Sequence, residues 1–177
     1  PKELAENSEL IISCVGNDND LEDIYLRKNK ILDGVKKNTI IVDHTTASLN
    51  ISIKLFKKFR SKQVFFFDAP VSGGEIGAQK GNLAIMVGGE KNKFEVLKKS
   101  LDCYYKSMIY MGKSGNGQLT KMVNQICVAS IIQGLAEGLN FAKKKKLNVE
   151  NLLEAIQSGA AQSWQLENRS ITMWNNK

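Results

Sequence analysis

The sequence predicts an α/β fold, a mainly parallel sheet followed by the start of an all-helical region entered through one long helix. Three observations predict it. Short β-branched and aromatic runs alternate with amphipathic stretches as far as Met111, as they do when strands and helices alternate. Clusters of Gly, Asn, Asp and Pro punctuate them. From Gly117 the pattern changes to a proline-free run, Gln118 to Lys146, with Leu119, Met122, Val123, Ile126, Ile131, Leu135, Leu139 and Ala142 at helical spacing. That change divides the chain into residues 1–113 and residues 114–177.

The elements follow in order. Pro1 to Asn7 reads as the tail of a helix and Glu9 to Val15 as a strand. Gly16-Asn17-Asp18-Asn19-Asp20 is a polar loop, with Asp18 or Asp20 as cap for a helix over Leu21 to Leu26. Thr39 to Asp43 is the second strand and runs into His44-Thr45-Thr46-Ala47-Ser48. A helix over Leu49 to Arg60 carries the apolar residues Ile51, Ile53, Leu55, Phe56 and Phe59. Val64-Phe65-Phe66-Phe67 is a buried strand that ends at Asp68 and Pro70, before the polar loop Ser72-Gly73-Gly74. Leu83 to Val87 and Ser107 to Met111 are further strands, and Lys91 to Ser100 is the helix between them. The long helix is expected to be buried by neighbours on several sides, and Asn151 to Gln157 starts another.

Composition narrows the function classes. The 177 residues are 42% hydrophobic and 24% charged, ordinary for a globular protein. The formal net charge of +7 invites a nucleic-acid reading. The lysines are spread along the chain, however, and the densest run, Lys143 to Lys146, falls at a helix C-terminus, where cations complement the helix dipole. No nucleic-acid partner is expected. Cys14, Cys103 and Cys127 have no metal-ligand spacing and read as reduced structural thiols of a cytoplasmic protein. No metal site is expected. No signal peptide is recognised and no apolar stretch reaches the ~18 residues of a spanning helix, so no membrane partner is expected either.

Three places could carry chemistry. The paired glycines of Ser72-Gly73-Gly74 leave peptide N–H groups uncovered, so the loop is either a plain turn or a cradle for an anionic oxygen. Open α/β sheets bind ligands outside the carboxyl ends of their strands, which is where it lies. Lys121 and Asn124 are three apart on the long helix and share a face. A lysine there either packs its stem and snorkels or acts as an acid/base. Thr45-Thr46 is either a helix start or a ligand contact at the same edge. His44 is the only histidine and reads as a satisfied loop residue. Its neighbour Asp43 should leave the strand on the opposite face.

The stretch from Asp68 to Gly89, DAPVSGGEIGAQKGNLAIMVGG, closely resembles the substrate loop of the β-hydroxyacid dehydrogenase family, which includes 3-hydroxyisobutyrate dehydrogenase and tartronate semialdehyde (glyoxylate) reductase. Gly115-Asn116-Gly117-Gln118 through Lys121 to Asn124 is similar to that family's catalytic helix, G-x-G-Q-x-x-K-x-x-N. VDHTTAS resembles its Asp-x-Ser-Thr segment. The resemblance implies a Rossmann-type parallel sheet, an NAD or NADP cofactor, and hydride transfer between it and a short 3-hydroxy acid or semialdehyde. It implies Lys121 as general acid/base and Asn124 as a residue holding the substrate. It further implies Ser72, Gly73 and Gly74 on the substrate carboxylate, and Thr46 on the nicotinamide side of the cofactor. Val15 and Gly16 take the place of the family's leucine-proline pair at the cofactor, a departure from its pattern. The related 6-phosphogluconate dehydrogenase carries Lys-x-x-His-Asn, whereas Lys121 is followed here by Asn124-Gln125.

No G-x-G-x-x-G fingerprint opens the sheet; in the family that unit lies ahead of the residues matching Pro1, and more helices follow those matching Lys177. The chain is therefore expected to be an internal segment that binds dinucleotide weakly or not at all by itself. It is also expected to form a homo-oligomer that hides apolar surface. The rival readings are a non-catalytic oligomerisation module on the same fold and an inactive fragment unable to bind cofactor.

Overall fold

A computed structural model describes residues 1–176. They form two compact units, Pro1–Met122 and a second that starts at Val123.

The first unit is built on a six-stranded sheet. Strands β1 (Leu10–Ser13), β2 (Ile40–Asp43) and β3 (Phe65–Asp68) pair in parallel, with Ile11, Ile41 and Phe66 side by side. Past Pro70 the chain continues as β4 (Val71–Ser72), antiparallel to β5 (Leu83–Gly88). β5 also meets β3 in antiparallel fashion at Asp68 and Gly88, and runs parallel to β6 (Tyr105–Gly112). The sheet is thus parallel-dominated, with an antiparallel junction that local pattern does not reveal. A parallel return needs a crossover of about a dozen residues or more. The link from β3 to β5 holds only β4 and the six-residue helix α5 (Gly74–Gln79).

Period-two alternation buries both faces of the sheet. Ile11, Ile41 and Phe66 point to one face, where they pack with Leu21 and Tyr25 of α2 (Asp18–Tyr25) and with Leu55 and Phe59 of α4 (Leu49–Arg60). The short α1 (Lys2–Glu6) and α3 (Ile31–Gly34) close the same cluster through Ala5 and Ile31. Phe66 stacks on Phe59 with ring centroids 5.8 Å apart, and Tyr25 meets both rings edge-on. Val42 and Phe67 point to the other face, against Ile85, Val87 and Met108 and against Phe94 and Leu97 of α6 (Lys91–Ser100). The cap of α2 is Asn17, whose side chain accepts from Asn19 and Asp20 N–H; Asp18 instead accepts from Ser48 N–H at 2.9 Å.

After β6 the chain enters α7 (Asn116–Lys144), which continues into the second unit. Its start is fixed by Asp68, fully buried at the end of β3. One carboxylate oxygen accepts from Gly115 N–H at 2.7 Å and the other from Gln118 N–H at 3.1 Å, which satisfies two donors that a helix start leaves orphaned. Burial pushes the Asp68 carboxyl up, and these bonds oppose that by favouring its charged form. The approach is close enough to require glycine at position 117: a Cβ there would press on the main-chain oxygens of Asp68 and Met86.

In the second unit, Leu139 of α7, Leu153 of α8 (Val149–Gln157) and Leu166 of α9 (Trp164–Trp174) form the core, with Leu135, Ile156 and Met173 against it. Asn148 and Ser163 cap α8 and α9 by accepting from Asn151 and Leu166 N–H. The middle of α7 departs from the burial expected of it: Val123 is 60% and Ile126 66% exposed. Its apolar side chains lie all round the helix, and core neighbours meet it near Leu135, Leu139 and Ala142. Because its interior polar residues are mostly uncharged, α7 also holds an 18-residue window apolar enough, by length and composition, to cross a membrane. That corrects the expectation that no stretch reaches this length. The three cysteines are free and exposed rather than set in the core.

Asp68→Ala should destabilise the first unit by about 2–4 kcal/mol in urea unfolding, the cost of orphaning two buried N–H groups. Asp68→Asn keeps one acceptor and should cost less. Equal stability of Asp68→Ala and the wild type would show that this carboxylate does not anchor α7.

Candidate active site at the carboxyl edge of the sheet

Three chain segments converge where β1 and β2 end. Gln118, on the first turn of α7, is 1% exposed. Its side-chain Nε2 donates to Thr45 O at 2.7 Å and its Oε1 accepts from Ala47 N–H at 3.0 Å. The loop between β2 and α4 is thereby fastened to the helix on both sides of Thr46. From the other direction, Thr45 Oγ1 accepts from Val15 N–H at 3.0 Å and donates to Asp43 Oδ1 at 2.7 Å. Asp43 also accepts from Ser13 Oγ at 2.8 Å, and Ser13 Oγ in turn meets Tyr25 OH at 2.6 Å. Burial pushes both Asp43 and Tyr25 up, while the hydrogen bonds from Thr45 and Ser13 hold Asp43 down. Asp43 does leave the strand away from its neighbour His44, as the strand period requires.

The two threonines have different surroundings. Thr45 is 1% exposed and all its polar groups are engaged. Thr46 is exposed, and its hydroxyl and peptide groups have no partner among the described residues. Gly16 is exposed as well, with its N–H directed to Asp20 Oδ2 at 3.1 Å, and Val15 beside it is half-buried. One open hydroxyl and free peptide groups beside uncharged Val15 and Gly16 leave this edge able to give a ligand flat contact and a few polar fixings.

Lys121 follows Gln118 by three residues, so the two share a helix face. It is only 8% exposed. Burial lowers its pKa, and among the described residues no acidic group compensates. An amine lowered in this way gives up its proton more readily than an exposed lysine does. Asn124 lies further along α7, in the second unit, half-buried, with its amide donating to Gln125 Oε1 at 3.0 Å.

The structure places Ser72-Gly73-Gly74 differently from a simple polar loop. Ser72 is the last residue of β4, paired with Ala84. Gly73, at φ 138°, caps α5, and Gly74, at φ 62°, begins it; both are exposed and in backbone conformations that favour glycine. Among the described residues no hydrogen bond joins this segment to Lys121 or to the Thr46 loop. The connection between them is indirect. His44 Nδ1 donates to Ala69 O at 2.6 Å, which ties the end of β2 to the chain just ahead of β4. The ring's Nε2 then accepts from Tyr104 OH at 2.7 Å, so His44 is satisfied and held neutral, with its pKa lowered by burial. Asp43 and Asp68 were not singled out as site residues by sequence, while Thr45 was weighed together with Thr46 and Gln118 entered only as part of the helix motif. Buried polar types beside candidate contacts were the available signal.

A parallel-dominated sheet with loops gathered at its carboxyl edge and a largely buried lysine on the following helix defines an open α/β protein of the kind that takes ligands at that edge. Comparison with known proteins gives the family. Residues 1–112 match the NAD binding domain of 6-phosphogluconate dehydrogenase, and residues 115–177 match the NAD-binding domain of NADP-dependent 3-hydroxyisobutyrate dehydrogenase. An uncharacterised oxidoreductase of Shewanella frigidimarina is 45% identical over 174 residues, covering 98% of this chain and 60% of the relative. The mitochondrial 3-hydroxyisobutyrate dehydrogenase of Drosophila melanogaster is 34% identical, with 93% of this chain and 50% of that protein covered. Among solved structures, the 3-hydroxyisobutyrate dehydrogenase of Mycobacterium tuberculosis with L-serine superposes with a TM-score of 0.87 at 24% identity, over 96% of this chain and 57% of that one. The chain belongs to the β-hydroxyacid dehydrogenase family, and its cofactor class is NAD or NADP. It spans 60% of the Shewanella relative and 50% of the Drosophila one.

The contrast between the threonines is testable by thermal or urea unfolding. Thr45→Val should cost about 1–3 kcal/mol, because it strands Val15 N–H and removes a donor from buried Asp43. Thr46→Val should change stability by less than about 0.5 kcal/mol. The reverse order would mean that Thr46, not Thr45, is the structural member.

Proposed function

We propose that this chain supplies the acid/base and substrate-facing part of an NAD(P)-dependent dehydrogenase that interconverts a short 3-hydroxy acid and its semialdehyde. The observation that carries the reading is Lys121, whose side chain is largely buried, whose pKa is lowered by desolvation and which has no acidic partner among the described residues. Partial desolvation disfavours the ammonium, the direction that an acid/base needs. We take residues 1–113 as belonging to the cofactor-binding domain and 114–177 as the start of the helical domain. The homologous enzymes named above make the oxidoreductase class the natural one.

A nicotinamide held by Val15, Gly16 and Thr46 would supply the acceptor for the hydride that leaves the hydroxyl-bearing carbon. As the C–H bond breaks, the neutral amine of Lys121 takes the hydroxyl proton, and the carbon–oxygen bond becomes the carbonyl of the semialdehyde. In the reverse direction the Lys121 ammonium returns that proton to the oxygen. Asn124 orients the same oxygen without bringing charge. Ser72 Oγ and the N–H groups of Gly73 and Gly74 hold the substrate carboxylate, and Val15, Gly16 and Thr46 line the cofactor. The protein works as a homo-oligomer in the cytoplasm, with the exposed apolar side chains of α7 as the surface to be covered.

Two experiments test this reading. Lys121→Ala should lower kcat/KM for 3-hydroxy acids by about 100-fold or more. Retained turnover would remove Lys121 from the chemistry. In the wild type, oxidation should rise with pH through the lowered Lys121 pKa and then level off, because the free amine is the base. Reduction should fall over the same range, because the ammonium is the acid. A rate profile flat through neutral and alkaline pH in both directions would contradict the assignment.

A further inference from the structure

We propose that Gln118 is a positioning residue for hydride transfer: its side-chain amide clasps the two peptides that flank Thr46 and fixes the cofactor loop relative to Lys121. The inference rests on the reading of Lys121 and Thr46 given above and adds a third residue to it. Gln118 accepts from Ala47 N–H at 3.0 Å and donates to Thr45 O at 2.7 Å. Only one orientation of the amide satisfies both bonds, since a carbonyl needs a donor and a peptide N–H needs an acceptor. Gln118 is itself held, because its own N–H donates to the buried Asp68 carboxylate at 3.1 Å. Its neighbour Gly117 is packed against the strand ends so closely that no side chain fits.

The consequence is geometric. Thr46 is bracketed by a side chain that leaves α7 three residues before Lys121 and on the same face. Thr46 therefore cannot shift against that face of the helix without breaking two buried hydrogen bonds. Asp43 and Thr45 fasten the same loop to β1, but they end on Val15 and Ser13, not on the helix that bears the lysine. Gln118 alone among these buried groups joins the cofactor loop to α7 through its side chain. Reacting groups must be held to a fraction of an ångström for hydride transfer, and a residue that sets such a spacing acts on rate without touching substrate.

The test uses the intact protein and three substitutions. Gln118→Met keeps the volume and removes both bonds. Gln118→Glu keeps the acceptor for Ala47 N–H and removes the donor to Thr45 O. Thr46→Val removes the open hydroxyl. Each Gln118 variant should raise the dinucleotide KM several-fold and lower kcat by about tenfold to 100-fold. The KM for the hydroxy acid and the pH of the Lys121 inflection should stay in place. The deciding readout is a double-mutant cycle: the effect of Thr46→Val on dinucleotide KM should largely vanish in the Gln118→Met background. Additive effects, or Gln118 variants with wild-type dinucleotide KM and kcat, would overturn the proposal. If Gln118→Met does not fold, the same cycle with Gln118→Glu decides. Lys121→Ala assayed alongside separates the two levels. An active Lys121→Ala overturns the underlying reading, whereas an inactive one beside normal Gln118 variants overturns only the clasp.

Discussion

A single buried carboxylate organises the candidate site. Asp68 ends a central strand with no exposed surface and spends both oxygens on the first turn of α7. A charged group in such a place is tolerated only when hydrogen bonds replace its lost hydration. The backbone N–H groups at a helix start are suited to that, because they lack intrahelical partners and carry the positive end of the dipole. The strand thus determines where the helix begins. Where the helix begins determines the height of Gln118 and Lys121 above the sheet edge, since both lie within its first turns.

The same economy of polar groups separates structural from reactive residues. Thr45, Gln118 and His44 are buried with their side-chain hydrogen-bonding atoms engaged, and buried Asp43 accepts three bonds on Oδ1, so these residues hold the backbone in place. Thr46 is the reverse, exposed between two clamped neighbours with its hydroxyl free. Lys121 is a third case, largely buried and without an acidic partner among the described residues, and its lowered pKa follows from desolvation. Desolvation weakens this amine's hold on its proton while the polar groups around it are satisfied, the direction that acid/base chemistry would use.

Much of this was legible in the sequence, and the boundary of legibility has a physical cause. Phe65-Phe66-Phe67 declared a strand buried on both faces, and α4, α6 and α8 stand close to where their apolar spacing and caps put them. Lys121 and Asn124 stood out because helical spacing is local. The Asp68 and Gln118 contacts did not, because their partners are about 50 and 70 residues away in the chain and no local pattern encodes them. The antiparallel entry of β5 escaped notice for the same reason, as strand direction is decided by pairing. Ser72-Gly73-Gly74 read as loop, yet two of its residues belong to β4 and α5, elements too short for periodicity to detect. The even apolar distribution of α7 suggested burial on all sides, whereas sequence alone does not say which neighbours are present to provide it.

The most direct test of the central claim, that Asp68 and Gln118 weld the helix start and the Thr46 loop to the sheet, is residue-resolved amide hydrogen exchange. If the weld holds, the amides of Gly115, Gln118 and Ala47 exchange as slowly as those of β2 and β3, through the same global opening, although they lie in loops and a helix's first turn. If they exchange orders of magnitude faster than the strands, as a frayed helix start and a mobile loop do, the helix is not anchored by Asp68. The placement of Lys121 would then need another cause.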